Sequence, residues 1–249
     1  MANWIERVSE PPKLFLAWQA PDHLQYRFRW AVGIIAPHSD GLSLRYFEDG
    51  VEFEQHNQGQ TYAKLLSYGY KGYPAFSTKR LLHTSGVADV LVRRLPPSTR
   101  PDFSEYKKQF RIPSEMNLPL ISLLGSTEAK LPSDGFSVVD PLDSNAQYCD
   151  LMLEIAGFRY YSDTYTPTIN ERIEVLAEPD NRYDAGAVKI CAGGKKIGNI
   201  NRLQAPTFLS WINSRSIEGN IERLNGKPTS PRAFIFVRVR PAVATLAAE

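Results

Sequence analysis

Between Pro132 and Ala146 the chain gathers Pro132, Ser133, Asp134, Gly135, Pro141, Asp143, Ser144 and Asn145 around one short apolar run, Gly135–Val139. So many turn formers and chain breakers in so few residues cannot lie inside a helix or a central strand, so they mark a loop or linker. This break divides the 249 residues into parts that must each bury their own core. At roughly 100–200 residues per domain both parts are large enough. We place the boundary near Asn145, giving a first domain over 1–145 and a second over 146–249. Neither needs covalent staples. The two cysteines, Cys149 and Cys191, cannot build a disulfide framework, and their scarcity fits a reducing compartment.

Before the break the pattern mixes strands and helices. LFLAW at 14–18 and FRWAVGII at 28–35 are short, aromatic and β-branched, as buried strands are. His38-Ser39-Asp40-Gly41 reads as a turn into an alternating strand, Leu42–Tyr46, and Asp49-Gly50 turns again. Glu52 and Glu54 then alternate with Val51 and Phe53, the pattern of a solvated strand face. Residues 59–68 and 86–95 read as helices, the second ending before Pro96-Pro97. Asp102 stands where it would cap a helix over 103–110. Ser114-Glu115 would open another, with Leu118, Ile121 and Leu124 on one side and Pro119 in its first turns.

After the break the spacing predicts strands at 150–156, 172–177, 187–191 and 196–200, with Gly193-Gly194 as a tight hairpin turn. A helix over 201–213 carries Pro206, which forces a late start or a kink. Strands at 219–224 and 233–239 close the domain, and the small apolar tail after Pro241 is expected to fray. The fold class is therefore mainly β with a few helices, α+β overall.

Several chemistries lack their residues. The histidines, His23, His38, His56 and His83, all precede the break and both cysteines follow it. No metal-ligand spacing links them, so each histidine is expected at the surface or in a turn. No phosphate loop or nucleophile elbow occurs. Acid pairs such as Asp22/Asp40 have no supporting pattern, and nothing meets the test of a nucleophile or acid with a partner and an orienting group. We expect no enzyme activity, cofactor or metal. A nuclease hidden before the break is a remote alternative. No apolar run is long enough to span a membrane, and the first residues lack a signal-peptide layout, so a cytoplasmic location is expected.

The overall formal charge of +2 announces no partner, but its distribution is uneven. From Lys189 onward ten bases face three acids, whereas 150–188 is acid-rich. Such a stretch can recruit a polyanion or can be a soluble basic face. Lys195 and Lys196, at the hairpin, and Arg202 are candidates for phosphate contacts. The loop 178–184 concentrates Pro, Asp, Asn and Tyr between apolar strands. There Asn181 and Asp184 can turn the backbone, and Tyr160, Tyr161 and Tyr183 can be core rings with wet hydroxyls.

Gly157-Phe158-Arg159-Tyr160-Tyr161, then Glu178-Pro179-Asp180-Asn181-Arg182-Tyr183-Asp184-Ala185-Gly186-Ala187-Val188, then Gly193-Gly194 and Ile197-Gly198 follow in the order of the HIRAN domain. The second domain resembles that family across about 150–240. The resemblance implies a small OB-like barrel that captures a 3′ end of single-stranded DNA. It implies that Tyr160 and Tyr183 hold the terminal base and that Asp184 accepts a hydrogen bond from the free 3′-hydroxyl. Arg159 and Asn181 would fix the phosphate and the loop, Asn199 and Arg202 would lie near backbone phosphates, and Phe234 would add an apolar wall.

Val32-Gly33-Ile34-Ile35, Asp40–Tyr46, Gly72–Phe76, Arg94-Leu95 and Leu123-Leu124-Gly125 resemble the N-terminal subdomain of HipA-type toxin kinases over 14–140, without the kinase core. That implies a protein-docking module. The expected function is non-catalytic DNA binding, accessory to repair or anti-phage defence. The alternative is a regulatory or antitoxin-like subunit that binds a HipA-type kinase.

Overall fold

The computed structural model describes residues 3–8, 10–21, 24, 28–131 and 133–242. The chain forms two compact units. One is Glu10–Pro141; the other is Leu142–Glu249 together with Met1–Ser9. His23, Asp22, Pro132 and the tail from 243 on lie outside the described residues.

The first unit is a five-stranded antiparallel sheet in the order β4-β3-β2-β1-β5. Its strands are β1 (Leu14–Gln19), β2 (Arg29–His38), β3 (Gly41–Tyr46), β4 (Leu82–His83) and β5 (Phe136–Val139). LFLAW lies between β2 and β5 and is buried residue by residue, which explains its unbroken apolar run. The helices are α1 (Val51–His56), α2 (Tyr62–Ser67), α3 (Val87–Val92), α4 (Phe103–Gln109) and α5 (Leu120–Thr127).

Four expectations for this unit are corrected. Val51–His56 is a helix and not a strand. Val51 is 72% exposed and Phe53 fully buried, so the alternation marks a single inward residue. The turn is clamped by Asn57, whose buried amide donates to the carbonyls of Ala31 and Phe53 and accepts from the Ala31 N–H, all at 2.9 Å. Glu52 reaches back as a two-bond partner of Arg45. Asp102 stands at the N-cap position of α4, but its carboxylate binds Arg100 at 2.7 and 2.9 Å and caps nothing. The helix after Ser114-Glu115 begins only at Leu120, because Pro119 holds the backbone extended and Pro113–Met116 closes as a turn. His56 is no surface histidine: its ring stacks on Phe47 at 4.4 Å and meets Phe15 edge-on at 5.1 Å.

The second unit holds two three-stranded sheets, β10-β11-β6 and β7-β8-β9. The strands are β6 (Cys149–Glu154), β7 (Ile173–Ala177), β8 (Val188–Ala192), β9 (Lys195–Asn199), β10 (Arg215–Lys227) and β11 (Ser230–Pro241), with α6 (Ala205–Ser214) between β9 and β10. Two bridges join the sheets: Ala156 with Asn199, and Arg172 with Asn220. The ring β6-β9-β8-β7-β10-β11 is thereby closed, so the unit is an OB-like barrel with a seam at each bridge. Val188, Ile190, Ile197, Ile221, Ile235 and Val237 fill it, with Phe208 and Trp211 of α6 packed against them. Pro206 falls in the first turn of α6, where its missing N–H costs nothing.

Gly193 and Gly194 take φ of 54° and 72°, a two-residue hairpin that only left-handed residues can make. The strands β10 and β11 run longer than the apolar spacing suggests, because their polar ends pair with each other throughout. Pairing of β11 with β6 also brings opposite charges together: Arg240 binds the buried Asp150 and Arg232 binds Glu154, each at 2.7 Å. Part of the C-terminal basic excess is thus neutralised by the acid-rich stretch. Residues 3–8 add a strap to this unit. The Asn3 amide donates to Glu222 at 2.6 Å and its carbonyl accepts from Arg238 at 3.0 Å, while the Glu6 N–H donates to Asp150.

Candidate nucleic-acid interface

The loop that follows β7 is built by its own side chains. The carbonyl oxygen of the Asn181 side chain accepts from the N–H of Tyr183 at 3.0 Å and of Asp184 at 3.2 Å. Asp184 Oδ1 accepts from the Gly186 N–H at 2.9 Å. A backbone bond from Glu178 N–H to the Ala187 carbonyl closes the base. These linked turns carry Tyr183 out to solvent, 79% exposed, with the Arg182 guanidinium 4.6 Å from its ring centre.

A second projection forms at the β6–β9 seam. Ala156 exchanges both backbone bonds with Asn199. Gly157, at φ 75°, then starts a single 3-10 turn, Phe158–Tyr160. Phe158 anchors the turn in the barrel core. Tyr160 is 61% exposed, and Arg159 lies 4.8 Å over its ring while donating to its hydroxyl at 2.7 Å. The open choice between core rings and exposed rings is therefore resolved for Tyr160 and Tyr183: both rings are largely exposed, each with a guanidinium over it.

One carboxylate ties the first projection to β9, beside the bridge from which the second begins. Glu178 accepts from Lys196 Nζ at 2.7 Å on both oxygens, from Asn181 Nδ2 at 2.7 Å and from Asn199 Nδ2 at 3.1 Å. Lys196 also lies 5.2 Å from the Tyr161 ring. Burial pushes the Glu178 carboxyl up, but the bonds from Lys196, Asn181 and Asn199 outweigh it and hold the group below the usual carboxylate range. Burial lowers Lys196 in the same way, and its bonds to Glu178 and Tyr161 reverse that, leaving the ammonium above its ordinary value.

Of the residues singled out in the sequence, Asn181, Lys196 and Asn199 converge on Glu178, Arg159 and Tyr160 pair with each other on the turn after the Ala156–Asn199 bridge, and Tyr183 and Asp184 lie on the loop that Asn181 organises. Asn181 and Lys196 are engaged within the protein, as loop organiser and as partner of Glu178. Lys195 projects from the hairpin, 5.5 Å from the Tyr165 ring, and Tyr165 in turn donates to Glu171. Arg202 is half-buried in the turn between β9 and α6. Phe234 is 7% exposed, with Arg223 4.2 Å and Arg232 5.1 Å over its ring, so those cations form the outer surface there. Sequence reasoning missed Glu178, Tyr161 and Arg182 as parts of the site. The signal was present for two of them, since Glu178 opens the Glu-Pro segment and Arg182 adjoins Tyr183.

The arrangement suits single-stranded nucleic acid. Exposed rings offer base-stacking faces, and adjacent guanidinia favour phosphate. The Asp184 carboxylate, with one oxygen committed to Gly186, keeps acceptor capacity for a hydroxyl. Among the described residues no group of His, Cys, Asp or Glu could hold a metal ion, and no helix is long and apolar enough to cross a membrane.

Residues 148–230 match the HIRAN domain family. No curated protein matches the chain. Two solved structures are similar to part of it. The HIRAN domain of human HLTF shares 21% identity over 37% of this chain and 77% of its own, at a TM-score of 0.32. A Lactobacillus plantarum protein shares 16% identity over 37% of this chain and 99% of its own, at a TM-score of 0.28.

Proposed function

We propose that the C-terminal unit of this chain, whose residues 148–230 match a family of DNA-binding domains, captures single-stranded DNA at its 3′ end without catalysing a reaction. The observation that carries the reading is the pair of exposed, guanidinium-backed rings, Tyr160 and Tyr183: one sits on the turn after the Ala156–Asn199 bridge, the other on the loop that Glu178 fastens to β9. The terminal base stacks on these rings. Arg159 and Arg182 favour the adjoining phosphate. Asp184 accepts the 3′-hydroxyl and repels a phosphate in its place. Residues 10–141 then couple the event to a protein partner in repair or defence. Support for a docking surface there is the pair Leu81 and Leu82, 38% and 46% exposed at edge strand β4.

The test is Asp184→Asn, which keeps an acceptor for the Gly186 N–H and removes the charge. A hydrogen bond to a charged group contributes about 1.5–3 kcal/mol. The preference for 3′-hydroxyl over 3′-phosphate oligonucleotides should therefore shrink roughly ten- to a hundredfold in fluorescence anisotropy, with thermal melting unchanged. An Asp184→Asn chain that folds normally and discriminates the two ends as well as the parent does removes the end-reading role.

A further inference from the structure

The candidate end site occupies the β6–β9 seam; the other seam, where Arg172 bridges Asn220 between β7 and β10, opens into a polar cavity of about 300 Å³. Arg172 and Arg238 both line it. Asn3 and Asn220 supply amides, Phe236 supplies an apolar wall, and Glu218 supplies the one carboxylate among its lining residues. Arg238 is held by the Asn3 carbonyl at 3.0 Å and lies 4.9 Å over the Phe236 ring. Glu222 is turned to the Asn3 amide. Among the described residues the Arg172 side chain has no hydrogen bond or ion pair, so its guanidinium is available to a ligand.

We propose that this cavity is a second anion site, and that it grips an internal phosphodiester of the bound strand. The charge count selects the ligand. Among the lining side chains two guanidinia outnumber one carboxylate, and Glu222 on the Asn3 amide lowers that surplus further, so the site suits a phosphodiester monoanion better than a terminal phosphate dianion. Planar guanidinia match phosphate oxygens in pairs, whereas the Asn3 amide is already spent on Asn220 and Glu222. The inference rests on the DNA reading only in taking a polynucleotide as ligand. It needs no free end.

Circularised oligothymidylate, which has no ends, is the probe, titrated into the full chain by anisotropy at a series of salt concentrations. Each phosphate neutralised on a single strand contributes about 0.7 to the log–log salt slope. Arg172→Gln should flatten the slope by up to that amount and weaken binding. Glu218→Gln should tighten it. An unchanged slope in a folded Arg172→Gln chain overturns the proposal, as does weaker binding in Glu218→Gln, which would mark a site for cations. If circular and linear probes bind equally but Arg172→Gln still flattens the slope, the end reading fails and this one stands. If inorganic phosphate, at a pH above its second ionisation, displaces the circular probe no better from the parent than from Arg172→Gln, the parent's site does not take the free dianion, as proposed; preferential displacement from the parent overturns the choice of a diester.

Discussion

Replacing Glu178 with Gln keeps the shape of the side chain and removes the charge on which three donors converge. The Glu178 and Lys196 side chains are 19% and 21% exposed, so neither group is well hydrated. A hydrogen bond to a charged partner is worth about 1.5–3 kcal/mol, and a new Gln amide hydrogen would face the donors of Lys196 and Asn181. Because Lys196 can still reach water, we expect a loss of about 2 kcal/mol and not the sum of every bond. A unit of roughly 100 residues unfolds with an entropy of about 0.2 kcal/mol per kelvin, so its melting transition should fall by about 10 °C. Oligonucleotide binding should fall with it, since Asn181 would lose the anchor that presents Tyr183.

The pH dependence has a definite sign. Glu178 is held below the usual carboxylate range, so its contribution is present above that range and is lost as pH falls through it. Lys196 is held above its ordinary value, so its contribution is present below that value and is lost as pH rises through the raised one. The gap between parent and Glu178→Gln should therefore be widest at neutral pH and close toward both extremes. Calorimetry across pH, with Lys196→Met completing a double-mutant cycle, measures it. A Glu178→Gln chain that melts within about 2 °C of the parent at neutral pH, or a cycle without coupling, refutes the hub.

Tyr160→Ala and Tyr183→Ala should each weaken single-stranded DNA binding by about 1–3 kcal/mol, with little change in melting because both rings are exposed; unchanged titrations in folded variants would dispose of the stacking role. Gly198→Ala should destabilise the barrel by more than the ordinary about 1 kcal/mol for such a change, because φ there is 150° and a methyl would meet Ile155 Cγ2 and lie 2.7 Å from the Ala156 carbonyl; a melting curve matching the parent would refute the close approach at that seam.

Short-range signals carried much of the architecture. LFLAW and FRWAVGII became β1 and β2, Gly193-Gly194 turned the β8–β9 hairpin, and Pro206 delayed α6. The α1 segment misled because alternation over four residues cannot tell a strand from one helical turn that buries a single ring. The Asn57 clamp on Ala31 that decides the matter is a tertiary contact. Residues 3–8 were out of reach for the same reason: Asn3 finds Glu222 only after the barrel has formed. In the site, Tyr160, Tyr183 and Asp184 could be named from their motifs, but their exposure could not. Glu178 was legible as a motif residue and not as a hub, since its donors come from its own loop and from β9.

End recognition is read out on the unmodified full chain, by its affinity for one oligothymidylate sequence in three forms: 3′-hydroxyl, 3′-phosphate and circular. Capture of the terminal base between Tyr160 and Tyr183 with Asp184 on the hydroxyl predicts tightest binding to the 3′-hydroxyl form and weaker binding to both others. Equal affinity for all three would contradict it.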